Sequence, residues 1–445
     1  MTILEPSRQI PVRYDADVCV AGGSCTGVFA AVRAARMGAK VVLLERTNIF
    51  GGMATSGLVN IWHSLHDIYH DRQVIAGLTA EMLERIGRRD AVVYSDDPGT
   101  AYTFNPTELA FELDELVREH SITPVLHTQY AGVLTGGDRV EAAFIQNKDG
   151  RGAVRAKFFI DCTGDGDICR DLGLDAYRHE VVQPPTACFL TQGDLSDVDI
   201  CAIVHEHGEE FGLGKDWGWS DMIPFTDISM RADRHVLGAL CDRADDLTFA
   251  EMDGRRQMDA VLRMVRKYGP SGRRWTPIAA CSQIGIRDTV HFRTRVQAEG
   301  MKLLVGKPEE TAVLRGTYRA DIHQKDGTIS FRYLDGREET IDTHGVHRVT
   351  GDWREKEGIT SPVAGWYEAP FEMLVTDRYA NFLPAGRMIH ADDRGFGCLR
   401  VMVNLNQLGE AAGTAAALCL NSGEDVRKLD GRRVRAALRE GGSAL

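Results

Sequence analysis

The 445-residue sequence has no CxxC pair, no Cys/His group at zinc-ligand spacing and no Lys/Arg-rich tract. It also has no apolar run of about 18 residues, the length a membrane-spanning helix needs. Each absence removes a class of protein. Without CxxC there is no dithiol redox pair and no cysteine framework for an iron–sulfur cluster. Ten scattered cysteines read as reduced thiols packed in a core, which predicts a reducing, cytoplasmic compartment. The N-terminal MTILEPSRQIPVRYD lacks the apolar stretch and cleavage pattern of a secretory signal. Acids outnumber bases, 64 Asp and Glu against 52 Lys and Arg, for a formal net charge of −12. That balance argues against a nucleic acid or a membrane surface as partner. Apolar residues at 43% and charged residues at 26% are ordinary globular proportions, so a disordered or fibrous chain is excluded.

Against this background, residues 17–21 form a short apolar run that predicts a buried strand. It leads directly into GGSCTG at 22–27. Ala-rich residues 28–37 follow at helical spacing, and Gly38 stops them. Residues 40–44 predict a second strand, ending at Glu45. This βαβ unit implies a parallel sheet. Its turn is a GxGxxG fingerprint with Ser24 at the second glycine. Gly22 permits the tight turn, Ser24 is small enough for a pyrophosphate to approach the backbone, and Gly27 permits close helix–strand contact. A helix starting near Cys25 aims its free N–H groups at the phosphates. Glu45 is placed to accept hydrogen bonds from ribose hydroxyls. The pattern alone does not separate NAD from FAD.

Further along, residues 73–88 predict a helix. Asn105 caps another that runs to His120, with Pro106 in its first turn and Glu108 completing a capping box. Strands are expected near 123–127, 130–135, 139–146 and 156–161. From about 180 to 365 the pattern loosens into polar loops and short segments. Residues 381–385 then predict a strand, 404–420 an Ala-rich helix and 428–439 a short basic helix. The expected fold is α/β, a Rossmann-like domain with a central parallel sheet in three layers. Residues 15–180 and 365–445 build it, and 181–364 form an inserted α+β substrate domain.

Four stretches resemble the FAD-dependent oxidoreductases of the glutathione-reductase-like superfamily, and most closely the branch that pairs GGSCTG with GGMATSGL. They are residues 17–45, FGGMATSG at 50–57, FIDCTGDGD at 159–167, and NFLPAGR at 381–387 with RVM at 400–402 and GEAAG at 409–413. The resemblance covers both ends of the chain and is loose in the middle. Departures are Ser24 for glycine, Cys162 for the usual alanine and Cys398 for a small hydroxyl residue. What it implies is a bound FAD. Ala21, Gly22, Gly23, Ser24, Cys25, Thr26 and Gly27 would cradle the pyrophosphate, with Glu45 and Arg46 at the ribose. Gly51, Gly52, Met53 and Ala54 would pass between pyrophosphate and isoalloxazine. Tyr130 would lie at the adenine. Thr163, Gly164 and Asp165 would close over the dinucleotide, and Gly386 and Arg387 would lie beside the ribitol. The helix beginning near Val403 and Asn404 would point its positive end at the flavin edge that gains negative charge on reduction.

Candidates for substrate chemistry follow from position. His63 and His66 come directly after the flavin loop, and His titrates in the range that proton transfer requires. Arg400 precedes the flavin-facing helix and suits bidentate binding of a carboxylate, unless it forms a structural pair with Asp392 or Asp393. His390 lies close by. Arg287 follows a Gly-Ile pair, a place the family often keeps near the active site. Arg293 and Arg295 read as a solvated basic face, and Cys398 as a packed thiol. The Asp165-Gly-Asp167 run lacks the remaining ligands of a calcium loop, so no metal is expected there.

The function expected is an FAD enzyme, a dehydrogenase or oxidase, that takes hydride from a small polar or anionic substrate. Oxygen or another carrier would accept the electrons, and a homo-oligomer is compatible with the sequence. Two rivals stand beside it: a reductase of an activated C=C bond, and a non-catalytic or RNA-modifying flavoprotein.

Overall fold

A computed structural model describes residues 2–95, 101–193, 198–270 and 274–445. The chain is α/β with a parallel-rich central sheet. Strand β1 (Val12–Ala21) pairs in parallel with β2 (Val41–Leu44), which pairs in parallel with β3 (Thr123–Val125). Antiparallel β4 (Gln129–Gly136) and β5 (Arg139–Asn147) lead into the long β6 (Gly150–Asp161), which returns to run parallel to β1. Strand β7 (Phe382–Pro384) adds in parallel to the end of β6. The two ends of the chain therefore share one sheet. Between β6 and β7 lie two four-stranded antiparallel sheets and the 25-residue helix Ala244–Tyr268.

Both faces of β1 are buried, as expected of a strand in a parallel sheet. Val18 and Val20 pack with helix α1 (Cys25–Arg36) and helix α2 (Met402–Ser422). Cys19 and Ala21 pack on the opposite face with Val140, Ala143 and Ile145 of β5 and with Phe159 and Phe382. All ten cysteines are free thiols and nine are buried, the packing role the sequence predicts. Helix α2 starts two residues earlier than its pattern indicated, at Met402. The Asn105 side chain does cap its helix, accepting from the N–H groups of Thr107 and Glu108. Glu108 does not complete the capping box, because its carboxylate is held by Arg89. Arg293 and Arg295 are not loose charges either: they pair with Asp175 and Asp377. Among the described residues no helix is long and apolar enough to cross a membrane.

Helices α1 and α2 meet backbone to backbone. A Cβ at Gly409 would overlap the carbonyl oxygen of Thr26, and one at Gly413 would overlap that of Ala30. Neither obstacle can rotate away, since both are main chain. Gly413→Val should therefore cost about 1–3 kcal/mol or more and lower the melting temperature. A circular-dichroism melt of the purified variant checks this, and an unchanged transition would exclude the contact.

Candidate functional site

Four strands end level with one another. Ala21 is in register with Leu44 and with Asp161, and Asp161 with Pro384. The loops leaving these ends line a cavity of about 520 Å³, the crevice beyond the carboxyl edge where ligands bind in such sheets. Ala21, Gly22, Ser24, Cys25 and Thr26 form one wall, with Glu45 and Arg46 beside them. Gly22 has φ +98°, and a Cβ there would overlap Cys162 O. Ser24 Oγ caps α1 by accepting from Gly27 N at 3.4 Å. Gly51, Gly52 and Met53 pass across this wall, where a Cβ on Gly52 would lie 2.9 Å from that of Ser24. Thr163, Gly164, Tyr130, Gly386 and Arg387 also face the cavity.

Other expected contacts act one step back. Gly23 donates its N–H to Glu45 Oε2 at 2.8 Å, and its Cα hydrogens face the Phe50 ring. Gly27 packs on the backbone of Gly22, and Ala54 is fully buried behind the loop. Asp165 does not face the cavity: it pairs with Arg387 at 2.5 Å and accepts from Thr289 Oγ1. Val403 and Asn404 also point away. The Asn404 amide donates to Tyr367 Oη and Cys398 O, clamping the junction before α2. The residues of that turn that do line the cavity are Val401, Met402, Leu405 and Asn406. Val401 offers no side-chain cap, so the α2 N-terminus is open where it borders the cavity. The Asn406 amide is buried, and among the described residues neither of its atoms has a hydrogen-bond partner.

Asp161 organises the floor. Its Oδ1 accepts from Thr163 N and Oγ1, and its Oδ2 from Ile168 N and Cys169 N. Burial raises its carboxyl, and these donors oppose the rise. Burial, reinforced by Asp161 and Asp165, pushes neighbouring Asp167 from 3.8 up to about 6.

The upper part of the cavity is built around Asp321, which has no sequence signal. It sits on strand Ala320–His323, against helix Asp393–Leu399. Gly397 makes the approach possible, since a Cβ there would lie 2.9 Å from Asp321 N. Arg400, which ends that helix, donates from Nη2 to Asp321 Oδ2 at 2.8 Å, and Tyr318 Oη donates to the same oxygen at 2.6 Å. Arg400 thus pairs with neither Asp392 nor Asp393, the alternative its position in the sequence left open. Asp392 is engaged as a helix cap, accepting from Gly395 N and Gly300 N. Burial alone would raise the Asp321 carboxyl, but Arg400, with Arg319 nearby, holds it well below the usual range. Arg287 is half-buried, donating to Pro184 O and Thr186 Oγ1, and its removal from water with Arg400 nearby draws its guanidinium down to about 10. Among the described residues, no carboxylate forms an ion pair with Arg287. His63 lines the cavity with its ring 4.2 Å from that of Tyr318.

Two sequence candidates fall elsewhere. His66 is outside the cavity, its ring edge-on to Tyr94. His390 packs edge-on against Tyr177 with its Nδ1 3.1 Å from Thr294 O, and burial lowers its pKa. Cys398 is the packed thiol the sequence predicts, fully buried, with burial pushing its pKa well up. Trp217, Trp219, Phe331 and Tyr333, which line the cavity beyond Arg287, were not foreseen.

Residues 17–438 match the family model described as FAD dependent oxidoreductase. The mitochondrial dihydrolipoyl dehydrogenase of Schizosaccharomyces pombe is 26% identical over 106 residues, 21% of either chain. The chain thus matches about a fifth of that curated relative's length. Among solved structures, a geranylgeranyl bacteriochlorophyll reductase-like protein from Thermoplasma acidophilum is 11% identical, at TM-score 0.44 over 97% of this chain and 84% of its own. A flavin-dependent brominase is 12% identical, at TM-score 0.44 over 96% and 83%.

Two outcomes follow from this geometry. The Asp167 carboxyl titrates higher in the folded chain than its ordinary 3.8, so its charge destabilises the fold progressively as pH rises from about 4 to about 6, and fully above that. Asp167→Asn should raise the melting temperature at pH 8 and leave it unchanged at pH 3, as melts at the two values will show. Glu45→Ala removes the acceptor of Gly23 N and of Thr47, and should weaken FAD retention by roughly 1.5–3 kcal/mol. Flavin content after dialysis measures it.

Proposed function

The chain belongs to the FAD-dependent oxidoreductase family, and from that membership we propose that it oxidises a small substrate carrying a carboxylate or similar anion beside the carbon that loses hydride. The observation that carries this reading is a charge imbalance. Arg287 and Arg400 are both half-buried at the cavity, and among the described residues they have between them one ion-pair partner, Asp321. A buried cation without an anion is costly, so such a site favours a ligand that supplies the missing charge.

The wall residues fit FAD. The glycine contacts leave room for a pyrophosphate, the open end of α2 suits negative charge, and the unpartnered Asn406 amide offers both a donor and an acceptor. FAD, when bound, supplies the hydride acceptor. Asp321, itself held by Tyr318, anchors Nη2 of the Arg400 guanidinium, and its remaining edge can donate to a carboxylate in bidentate fashion. Arg287 provides the second cationic contact. His63, packed on Tyr318, takes the substrate proton. His323 is kept neutral, since burial drives its pKa well down despite Asp321. The interposed residues 181–364 serve as the substrate domain, with the Trp217, Trp219, Phe331 and Tyr333 rings excluding water and holding the rest of the molecule.

Arg400→Lys keeps the charge but loses the planar fork. It should lower kcat/KM by at least about tenfold, about 1.4 kcal/mol, without releasing FAD. Anaerobic stopped-flow bleaching of the visible flavin band by carboxylate-bearing amines and hydroxy acids tests both parts. Equally fast bleaching by their uncharged amides would refute the anionic substrate.

A further inference from the structure

Asp288 follows Arg287 in the chain but faces the other way, into a second cavity of about 680 Å³. A two-residue antiparallel ladder, Ala176–Tyr177 against His291–Phe292, brings His179 and His291 to the same place. His291 Nε2 lies 2.9 Å from Asp288 Oδ1, and His179 Nδ1 lies 3.6 Å from Asp288 Oδ2. The remaining ring nitrogens face backbone carbonyls, His291 Nδ1 at 2.8 Å from Ile389 O and His179 Nε2 at 3.1 Å from Ala391 O.

A carbonyl only accepts, so those outer nitrogens carry the ring protons. In the neutral tautomers the two inner nitrogens then turn lone pairs toward a carboxylate. Gln183 N donates to Asp288 Oδ2 at 3.1 Å, but in these tautomers no donor among the described residues lies between Asp288 Oδ1 and His291 Nε2, and Asp288 and His291 are only 1% and 0% exposed. Something positive belongs between them, either protons on the inner nitrogens or a metal ion.

Three features favour the ion. Histidines that bind metals characteristically donate their outer N–H to a carbonyl or carboxylate, as both do here. Ligand atoms each about 2.1 Å from one ion stand roughly 3.0–3.4 Å apart at right or tetrahedral angles; the two separations seen, 2.9 Å and 3.6 Å, bracket that range, each to a different oxygen of the carboxylate. The cavity that opens onto His179 and Asp288 is rimmed by Glu180, Asp326, Asp392 and Asp393, against Lys325 and Arg394, which gives a cation an entry path.

We propose that His179, Asp288 and His291 bind one divalent first-row transition metal, with a remaining coordination position open to the second cavity. Two imidazoles and one carboxylate suit Zn2+ or Fe2+. The ion would tie the segment around residue 179 to that around 288–291, and so fix the backbone that presents Arg287 to the first cavity. It lies outside the dinucleotide crevice, so flavin content and metal content are independent readouts.

The experiment uses the flavin-loaded full chain, stripped with chelator and then dialysed against Zn2+, or anaerobically against Fe2+, followed by elemental analysis. The wild type should take up one ion per chain. His179→Gln, a change at the rim of the second cavity, and Asp288→Asn should each weaken uptake by at least about tenfold while keeping the flavin. Should neither variant fold, the difference spectrum of Co2+-loaded wild type decides, since a protein-bound Co2+ shows visible ligand-field bands. Uptake by the wild type that is no greater than by a folded His179→Gln, or the absence of those bands, would leave an imidazolium–carboxylate cluster and overturn the proposal.

Discussion

The contact between α1 and α2 at Gly409 and Gly413 is the constraint on which the rest depends. Helix α1 begins at the glycine loop, and α2 begins at the turn that holds Arg400, so the distance between the two helices sets the distance between the two ends of the cavity. Any side chain at those glycines would push the helices apart by the width of a methyl group. The wall formed by Ser24 and Gly52 would then lose its relation to Met402 and Asn406. Close packing thus transmits a purely steric requirement from the middle of α2 to the chemistry at its start.

A second constraint is electrostatic. Asp321 reaches Arg400 only because Gly397 lets strand Ala320–His323 come against the helix that ends at Arg400. The partner of a residue from one end of the chain is therefore delivered by the interposed segment. The same pattern recurs with Thr289, which donates to Asp165 and so steadies Arg387. In both cases a carboxylate is shared between segments distant in sequence, and the cavity keeps its positive surplus because each acid is already committed.

The dinucleotide end was legible in the sequence because its requirements are local. A strand, a glycine turn, a helix and an acid at fixed spacing leave few alternatives, and Gly22, Ser24 and Glu45 line the cavity together with Gly52, which only the resemblance supplied. The other end of the cavity was only partly legible. Arg287, Arg400 and His63 were singled out through the resemblance, and all three line the cavity. Asp321, Tyr318 and the Trp217–Trp219 pair were not, since they lie on short strands and loops with no periodic pattern and meet the rest only through tertiary packing. Proximity in sequence misled in the opposite sense for His66 and Asn404: His66 lies three residues beyond His63 and Asn404 adjoins Leu405, but neither side chain reaches the cavity. The His179, Asp288 and His291 cluster had no chance of detection, because more than a hundred residues separate its first member from the other two.

The pairing of β7 with β6 has a consequence for how the chain is made. Phe382 to Pro384 join Phe159 to Asp161 only after roughly 220 further residues have been synthesised. At ordinary elongation rates that interval is about 10–40 s. Throughout it the edge of β6, with Phe159 and Ile160, is an unfilled slot in a nascent sheet, open to any other extended segment that emerges. Assembly of the crevice is therefore ordered in time. The first wall forms early, the last strand closes it late, and the cell must protect an adhesive edge for the time between.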